Sequence, residues 1–130
     1  MKKVILDTNV YTGLLAGDRE VLEIIARADR VYLSVVVLGE LYFGFLGGGK
    51  QKRNLRLLES FLEKSTVEIL NIDREMAEVF AEIKHKLQKE GTPIPINDLW
   101  LSAQAFQTGS RLITYDRHFL KIPGLLLKKL

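Results

Sequence analysis

The sequence predicts an α/β fold, in which a parallel sheet of about four to five strands is covered by helices on both faces. Short apolar runs alternate along the chain with longer segments of helical periodicity. Strands covered on both faces are apolar throughout, as the run Val4-Ile5-Leu6 is. No repeat and no Pro/Ser-rich linker divides the 130 residues, so we expect one domain over residues 1–130.

The order of the elements follows from short β-branched runs and from capping residues. Strands are expected at residues 2–6, 31–33, 67–70, 111–114 and 125–127. Helices are expected after Asp18, at about 35–45, around 55–62, from Asp73 to Gly91, and from Asn97 to Gly109. Strands and helices therefore alternate along the chain, which is typical of a parallel sheet.

Residues 31–38 are ambiguous. They are rich in β-branched residues, which alone favours one long strand. However, Ser34 is a good helix cap, and Leu38, Leu41 and Phe45 have helical spacing. We therefore expect a helix here that ends at Gly47-Gly48-Gly49.

The amino-acid composition limits which kinds of binding site and metal site the chain can form. Lys and Arg number 19 against 16 Asp and Glu, and the net charge of +3 permits nucleic-acid binding without arguing for it. The absence of cysteine excludes disulfides and thiolate metal sites. Only His85 and His118 could supply nitrogen ligands, which is too few for an ordinary zinc site. Any bound metal is therefore expected to be held by oxygen.

Neither a leader nor a membrane span is expected. Only three apolar residues separate Met1-Lys2-Lys3 from Asp7, whereas a signal peptide needs a longer apolar stretch. No apolar run reaches the roughly 20 residues that cross a bilayer. We expect a cytoplasmic protein that does not contact a membrane.

Four acidic residues stand out by their positions. Asp7 and Asp116 follow the first and fourth strands, and ligands bind at the carboxyl ends of parallel strands. Each could instead be a cap or a turn residue. Asp98 lies in the first turn of a helix, where an acid also complements the helix dipole. Glu40 is surrounded in sequence by apolar residues and glycine, so an unpaired carboxylate there would be costly unless Glu40 lies on a narrow exposed stripe of its helix.

Several carboxylates at one sheet edge would repel each other unless a cation were bound. Mg²⁺ prefers oxygen ligands in octahedral geometry, and Mn²⁺ is the alternative that we consider. Asp7 and Asp98 are the best candidates for direct ligands. Glu40 and Asp116 could bind directly, through water, or to a second ion.

Four segments of the chain resemble the motifs of PIN-domain ribonucleases, and within them the VapC-like toxins of toxin–antitoxin pairs. They cover nearly the whole chain in the right order: Val4–Asn9, Ser34–Gly44, Pro95–Ala105 and Leu112–Phe119. The resemblance implies an α/β/α sandwich with the activity of a metal-dependent endoribonuclease. It also implies an RNA substrate, a homodimer and a cognate antitoxin.

The same resemblance assigns roles to individual residues. It implies that four carboxylates bind the metal and carry catalysis: Asp7, Glu40, Asp98 and Asp116. Asn9 and Thr114 would support them by hydrogen bonds. Gly39 is smaller than the usual neighbour of the motif's glutamate. His118 has no counterpart in the family pattern, and we place it on the surface.

Basic residues are needed because an acidic pocket repels RNA. Lys50, Lys52 and Arg53, with Arg56 close by, are candidates for phosphate contacts, although a solvated helix face explains them equally well. A second basic group comprises Lys84, Lys86 and Lys89. Gly44 to Lys50 resembles part of a phosphate-binding P-loop, but Gln51 stands where Ser or Thr is required and a helix is expected before it.

Alternative functions stay open. The chain could be an RNA-processing nuclease without a toxin role, or a non-catalytic RNA-binding or assembly module. The full set of four carboxylates argues against the second, since catalysis needs them and RNA binding does not. Tyr42, Phe43 and Phe45 could form an apolar groove for a partner helix, although core packing or a homodimer contact would explain them as well.

Overall fold

The structure is a computed structural model that describes residues 2–130. Its strands are β1 Lys3–Leu6, β2 Arg30–Ser34, β3 Val67–Leu70, β4 Arg111–Thr114 and β5 Leu127–Lys129. Its helices are α1 Thr8–Leu15, α2 Arg19–Arg27, α3 Val35–Gly47, α4 Gln51–Leu62, α5 Arg74–Lys89 and α6 Ile96–Thr108. A short 3₁₀ turn, His118–Lys121, lies between β4 and β5.

The strands form one parallel sheet in the order β3-β2-β1-β4-β5. Val4, Ile5 and Leu6 of the central strand are completely buried, so both faces of the sheet are covered. The chain moves outward from β1 to β3 and then returns past β1 to β4. Right-handed crossovers therefore place α1 to α4 on one face and α5 and α6 on the other. The predicted three-layer α/β/α sandwich is confirmed.

Capping residues set where several helices begin. The Ser34 side chain accepts a hydrogen bond from the backbone N–H of Val36 at 3.0 Å, which ends β2 and starts α3. This contact resolves the ambiguity of residues 31–38. Asp18 and Asp73 cap α2 and α5 in the same way, as their sequence positions predicted.

Helix α1 was not expected from the sequence. Its residues have little helical amphipathicity and include Gly13, a poor helix former. The structure explains that glycine, because a Cβ atom there would overlap the Tyr115 hydroxyl. Tyr115 crosses α1 at this point and donates a hydrogen bond to Asp18.

Two predicted boundaries were wrong. Helix α6 is not capped by Asn97, which lies inside its first turn; Pro95 precedes the helix and its carbonyl accepts the first hydrogen bonds. The last strand is Leu127–Lys129 rather than residues 125–127, because the turn at Gly124 (φ 80°) delays its start. No helix in the described part of the chain is both long and apolar enough to cross a membrane.

Candidate active site

The order of the strands places a cleft at one point of the sheet edge. Connections leave β1 toward β2 on one side, and β4 lies on its other side. Such a reversal opens a crevice at the carboxyl ends of the strands. A cleft of about 330 Å³ lies there, lined by Asp7, Thr8, Asn9, Glu40, Pro95, Ile96, Asn97, Asp98, Asp116 and His118. We call it the acidic cleft; it brings together all four predicted carboxylates.

Asp7 is held at both of its carboxylate oxygens. The backbone N–H of Thr8 donates to Oδ1 at 2.8 Å, which makes Asp7 the cap of α1. The Thr114 hydroxyl, at the end of β4, donates to Oδ2 at 2.7 Å. Burial raises the pKa of Asp7 above its usual value against the effect of these hydrogen bonds, and Glu40 and Asp116 raise it further.

Thr114 links two of the carboxylates. While its hydroxyl donates to Asp7, its oxygen accepts a hydrogen bond from the backbone N–H of Asp116 at 2.9 Å. Thr114 is completely buried, so its geometry is fixed by the core. The supporting role that the family resemblance implied for Thr114 stays a prediction, and these two hydrogen bonds are the contacts that it would use. Asn9 also lines the cleft, but among residues 2–130 its side chain makes no hydrogen bond to the carboxylates.

Asp98 enters the cleft from the first turn of α6. Burial raises its pKa to about 6, and a hydrogen bond from His118 partly offsets that rise. The charges of Asp7 and Asp116 contribute to this rise as well. A carboxylate that resists ionisation beside other carboxylates is typical of a functional site, where a bound cation would restore its charge.

Of the two environments that the sequence allowed for Glu40, the structure shows the exposed stripe of the helix. Glu40 is exposed on α3, and Tyr42 and Phe43 beside it are also exposed, by 42% and 80% of their surface. The apolar residues around it in sequence therefore do not bury it. Glu40 still belongs to the acidic cleft, because the Thr8 hydroxyl donates a hydrogen bond to its Oε1.

His118 lies at the surface, as expected, but it also contacts two of the carboxylates, which the sequence did not predict. Its Nδ1 atom lies 3.1 Å from Asp98 Oδ2 and 3.1 Å from Asp116 Oδ1. Its side chain remains 43% exposed, so it lies at the rim of the cleft. The available sequence signal was its position two residues after Asp116, in the turn that follows β4.

The basic residues form a separate surface. Gly48 and Gly49 lead into the start of α4, where a shallow cavity of about 590 Å³ is lined by Lys50, Gln51, Lys52, Arg53 and Arg56. We call Lys50, Lys52, Arg53 and Arg56 the basic face; all four are exposed. Helix α3 precedes these glycines, so the strand required by a P-loop is absent from this position.

The aromatic residues before the glycine turn do not form the expected groove together. Phe45 is buried in the core, whereas Phe43 is 80% exposed. Tyr42 and Leu46 are exposed as well, by 42% and 68%. An apolar surface is therefore present on α3, with Leu46 in the place expected for Phe45.

The donor atoms of the acidic cleft fit a divalent cation. Carboxylate oxygens are the ligands that Mg²⁺ and Mn²⁺ take, and four carboxylates converge without a lysine or arginine among the residues that line the cleft. One ligand atom each from Asp98, Asp116 and His118 lie within 4.8 Å of one another. Burial, and to a lesser extent the neighbouring carboxylates, raise the pKa values of Asp7 and Asp98, so a bound cation would favour their charged forms.

The family model described as the PIN domain matches residues 4–125. This chain is a PIN-domain protein. It is 32% identical to Ribonuclease VapC2 of Haemophilus influenzae over 130 residues, which is 96% of each chain. This PIN domain therefore belongs with the VapC ribonucleases.

Solved structures agree with the assignment of the PIN domain. DNA-bound VapBC from Salmonella typhimurium matches with a TM-score of 0.86 and 28% identity, over 99% of this chain and 98% of that chain. VapBC-5 from Mycobacterium tuberculosis, a member of the VapBC family of toxin–antitoxin systems, matches with a TM-score of 0.73 and 30% identity. That match covers 98% of this chain and 97% of the other.

Proposed function

We propose that this protein is the toxin of a toxin–antitoxin pair and that it hydrolyses RNA phosphodiester bonds with a divalent cation, Mg²⁺ or Mn²⁺. The observation that carries the proposal is the convergence of four carboxylates from separate elements at the sheet reversal. The similarity to VapC ribonucleases supports the choice of RNA as substrate. The similarity to a toxin–antitoxin system supports a cognate antitoxin as partner.

In this proposal Asp7 and Asp98 hold the cation directly, and Glu40 and Asp116 complete the site. The chemistry that such a cation supplies when bound is polarisation of a phosphoryl oxygen and a lower pKa for a bound water. The chain's own contribution is to orient the ligands. Thr114 fixes Asp7 and the backbone of Asp116, while the Thr8 hydroxyl positions Glu40.

The basic face complements this arrangement in the proposal. The carboxylates repel the RNA backbone, so the affinity for RNA has to come from cations elsewhere on the surface. Lys50, Lys52 and Arg53 extend from the start of α4, where the helix dipole adds a partial positive charge. We assign phosphate contacts to these three residues. Arg56 lies one helical turn further along.

The exposed apolar surface of α3 supports association with another protein chain. Phe43 and Leu46 are more exposed than any other large apolar side chains among residues 2–130. Contiguous apolar surface of this kind marks interaction sites. We propose that the protein forms a homodimer, which light scattering of the purified protein measures directly.

The test of the catalytic proposal is RNA cleavage by the purified protein with Mg²⁺ or Mn²⁺, and with EDTA as control. Cleavage that EDTA abolishes is the expected result. RNA binding without cleavage under either cation would instead identify a non-catalytic module. The toxin role is tested separately by expression in a bacterial host. Growth arrest that the neighbouring small gene relieves is expected, whereas cleavage without toxicity would identify a processing nuclease.

A further inference from the structure

His118 is built into the acidic cleft. Its backbone N–H donates a hydrogen bond to Asp116 Oδ1 at 2.8 Å, which fixes the turn in which it lies. The next residue, Phe119, is completely buried in the core. The 3₁₀ turn that His118 begins is followed by Ile122, which is also buried. The main chain at His118 is therefore held from both sides, and its ring is directed to the carboxylates.

The distances around the ring are hydrogen-bond distances in the metal-free chain, and they also equal the separation of neighbouring ligands on one metal ion. Ligand atoms about 2.1 Å from an octahedral ion stand about 3.0 Å from their neighbours. Nδ1 of His118 lies 3.1 Å from Asp98 Oδ2 and 3.1 Å from Asp116 Oδ1. The two oxygens come from different elements, α6 and the turn after β4. An exposed ion pair would need only one partner and contributes at most about 1 kcal/mol.

The chemistry of the nitrogen distinguishes this site from one made of oxygen alone. Mg²⁺ prefers oxygen ligands and releases its waters reluctantly. Imidazole nitrogen is a good ligand for first-row transition cations. A site with two carboxylates and one imidazole therefore favours a cation such as Mn²⁺ over Mg²⁺. The sequence had suggested oxygen ligands only.

We propose that His118 is a nitrogen ligand of the cation that Asp98 and Asp116 bind, and that it makes the site prefer Mn²⁺ to Mg²⁺. This inference rests on the proposed function, because it concerns the cation of the proposed nuclease. It adds a residue outside the four carboxylates to the metal site and specifies which cation that site selects.

The chain offers a matched control, since its only other histidine is His85, which is exposed on α5. In the variant His85→Ala, His118 is the single histidine. Protein labelled with ¹⁵N-histidine and loaded with Mn²⁺ alone is measured by pulsed electron paramagnetic resonance. A nitrogen coupling that changes with the isotope is expected in the unchanged chain and in His85→Ala. This measurement does not depend on the folding of any His118 variant.

Calorimetry then measures the selectivity of the site. His118→Ala is expected to weaken Mn²⁺ binding at least about tenfold, since even the outer partners of metal ligands contribute that much. Mg²⁺ binding is expected to change much less, and His85→Ala to change neither. The ratio of the two affinities is the informative quantity, because a merely structural loss would lower both.

The outcomes separate this inference from the function on which it rests. If Mn²⁺ binds the unchanged chain without a histidine nitrogen coupling, His118 is not a ligand and the inference fails alone. Equal losses of Mn²⁺ and Mg²⁺ affinity in His118→Ala would overturn the claimed selectivity. If neither cation binds the unchanged chain, the metal site fails and the inference fails with it.

Discussion

In the acidic cleft the charged groups are fixed by hydrogen bonds, whereas on the basic face they extend into solvent. Asp7 accepts hydrogen bonds at both carboxylate oxygens. By contrast, none of the basic-face residues forms an ion pair within residues 2–130. Fixed groups suit chemistry that depends on distances of a few tenths of an ångström. Mobile cations suit attraction to a phosphate backbone, which needs charge and little geometry.

The largest effect on RNA cleavage is expected when a carboxylate of the acidic cleft is replaced. Asp7→Asn removes a proposed ligand but keeps a helix cap, because Asn caps α1 as well as Asp does. We expect cleavage to fall at least about a hundredfold, since a bound cation supplies several kcal/mol to the transition state. This fall is measured as the rate of RNA cleavage in the presence of Mn²⁺. We expect Asp98→Asn to lower the rate of cleavage to a similar extent.

The control for both variants is stability, measured by thermal unfolding followed by circular dichroism. Each variant replaces a charge by a neutral group of the same shape, so the fold is expected to persist. Metal-dependent cleavage retained by Asp7→Asn and by Asp98→Asn would contradict the assignment of these carboxylates.

A smaller effect, on RNA binding, is expected when positive charges of the basic face are removed. Replacing Lys50, Lys52 and Arg53 by Ala should weaken RNA binding and lower its dependence on salt. For three lost contacts to single-stranded RNA, the slope of log affinity against log salt should fall by about two. Binding of a non-cleavable RNA at several salt concentrations measures it. The cleavage rate at saturating RNA should change little.

The matched control is the basic group Lys84, Lys86 and Lys89 on α5. Replacing these three residues by Ala removes the same charge from another surface. An equal fall in slope for both triple variants would mean that general charge attracts the RNA. The basic face would then have no special role.

A third prediction concerns what fixes the acidic cleft. Thr114→Val keeps the shape of the buried side chain but removes its hydrogen bonds to Asp7 and Asp116. We expect a loss of about 1–3 kcal/mol in the free energy of unfolding, measured with urea, together with slower cleavage. Thr108→Val removes a hydroxyl that bonds the Gln104 carbonyl, and it should leave cleavage unchanged. Equal cleavage rates in the two variants would contradict the supporting role of Thr114.

The smallest effect is expected in the pH dependence of the metal-free protein. The pKa of Asp98 is raised from 3.8 to about 6 in the folded chain. Asp98 therefore stabilises the fold below about pH 4, and this contribution is lost as the pH rises through 6. The melting temperature in EDTA should fall over that range more in the unchanged chain than in Asp98→Asn. If the melting temperatures of the two proteins changed equally with pH, the predicted contribution of Asp98 would be contradicted.

The sequence predicted the parallel sheet because apolar runs and capping residues are local signals. Ser34 and Asp73 cap the helices that their positions indicated. Helix α1 was missed because its fit depends on Tyr115, which is distant in sequence and crosses α1 at Gly13. No local pattern reports such a contact.

In the acidic cleft, too, local signals predicted some residues, whereas contacts between distant parts of the chain were not predictable. The positions of Asp7 and Asp116 were predictable because each lies within two residues of the end of a strand, and parallel strands end at the same edge. The exposure of Glu40 was not predictable from the sequence, because it depends on which face of α3 lies against the sheet. His118 was missed because only the folded turn brings its ring between Asp98 and Asp116.

The order of the four carboxylates along the chain has a consequence during synthesis. Asp7 and Glu40 emerge from the ribosome early, whereas Asp98 and Asp116 belong to the last third of the chain. Strand β4, which carries Thr114 and leads to Asp116, must join β1 before the cleft exists. The site that we propose for catalysis is therefore incomplete in the nascent chain until β4 has been made. We expect the nuclease activity proposed for this chain to begin only when its translation is nearly complete.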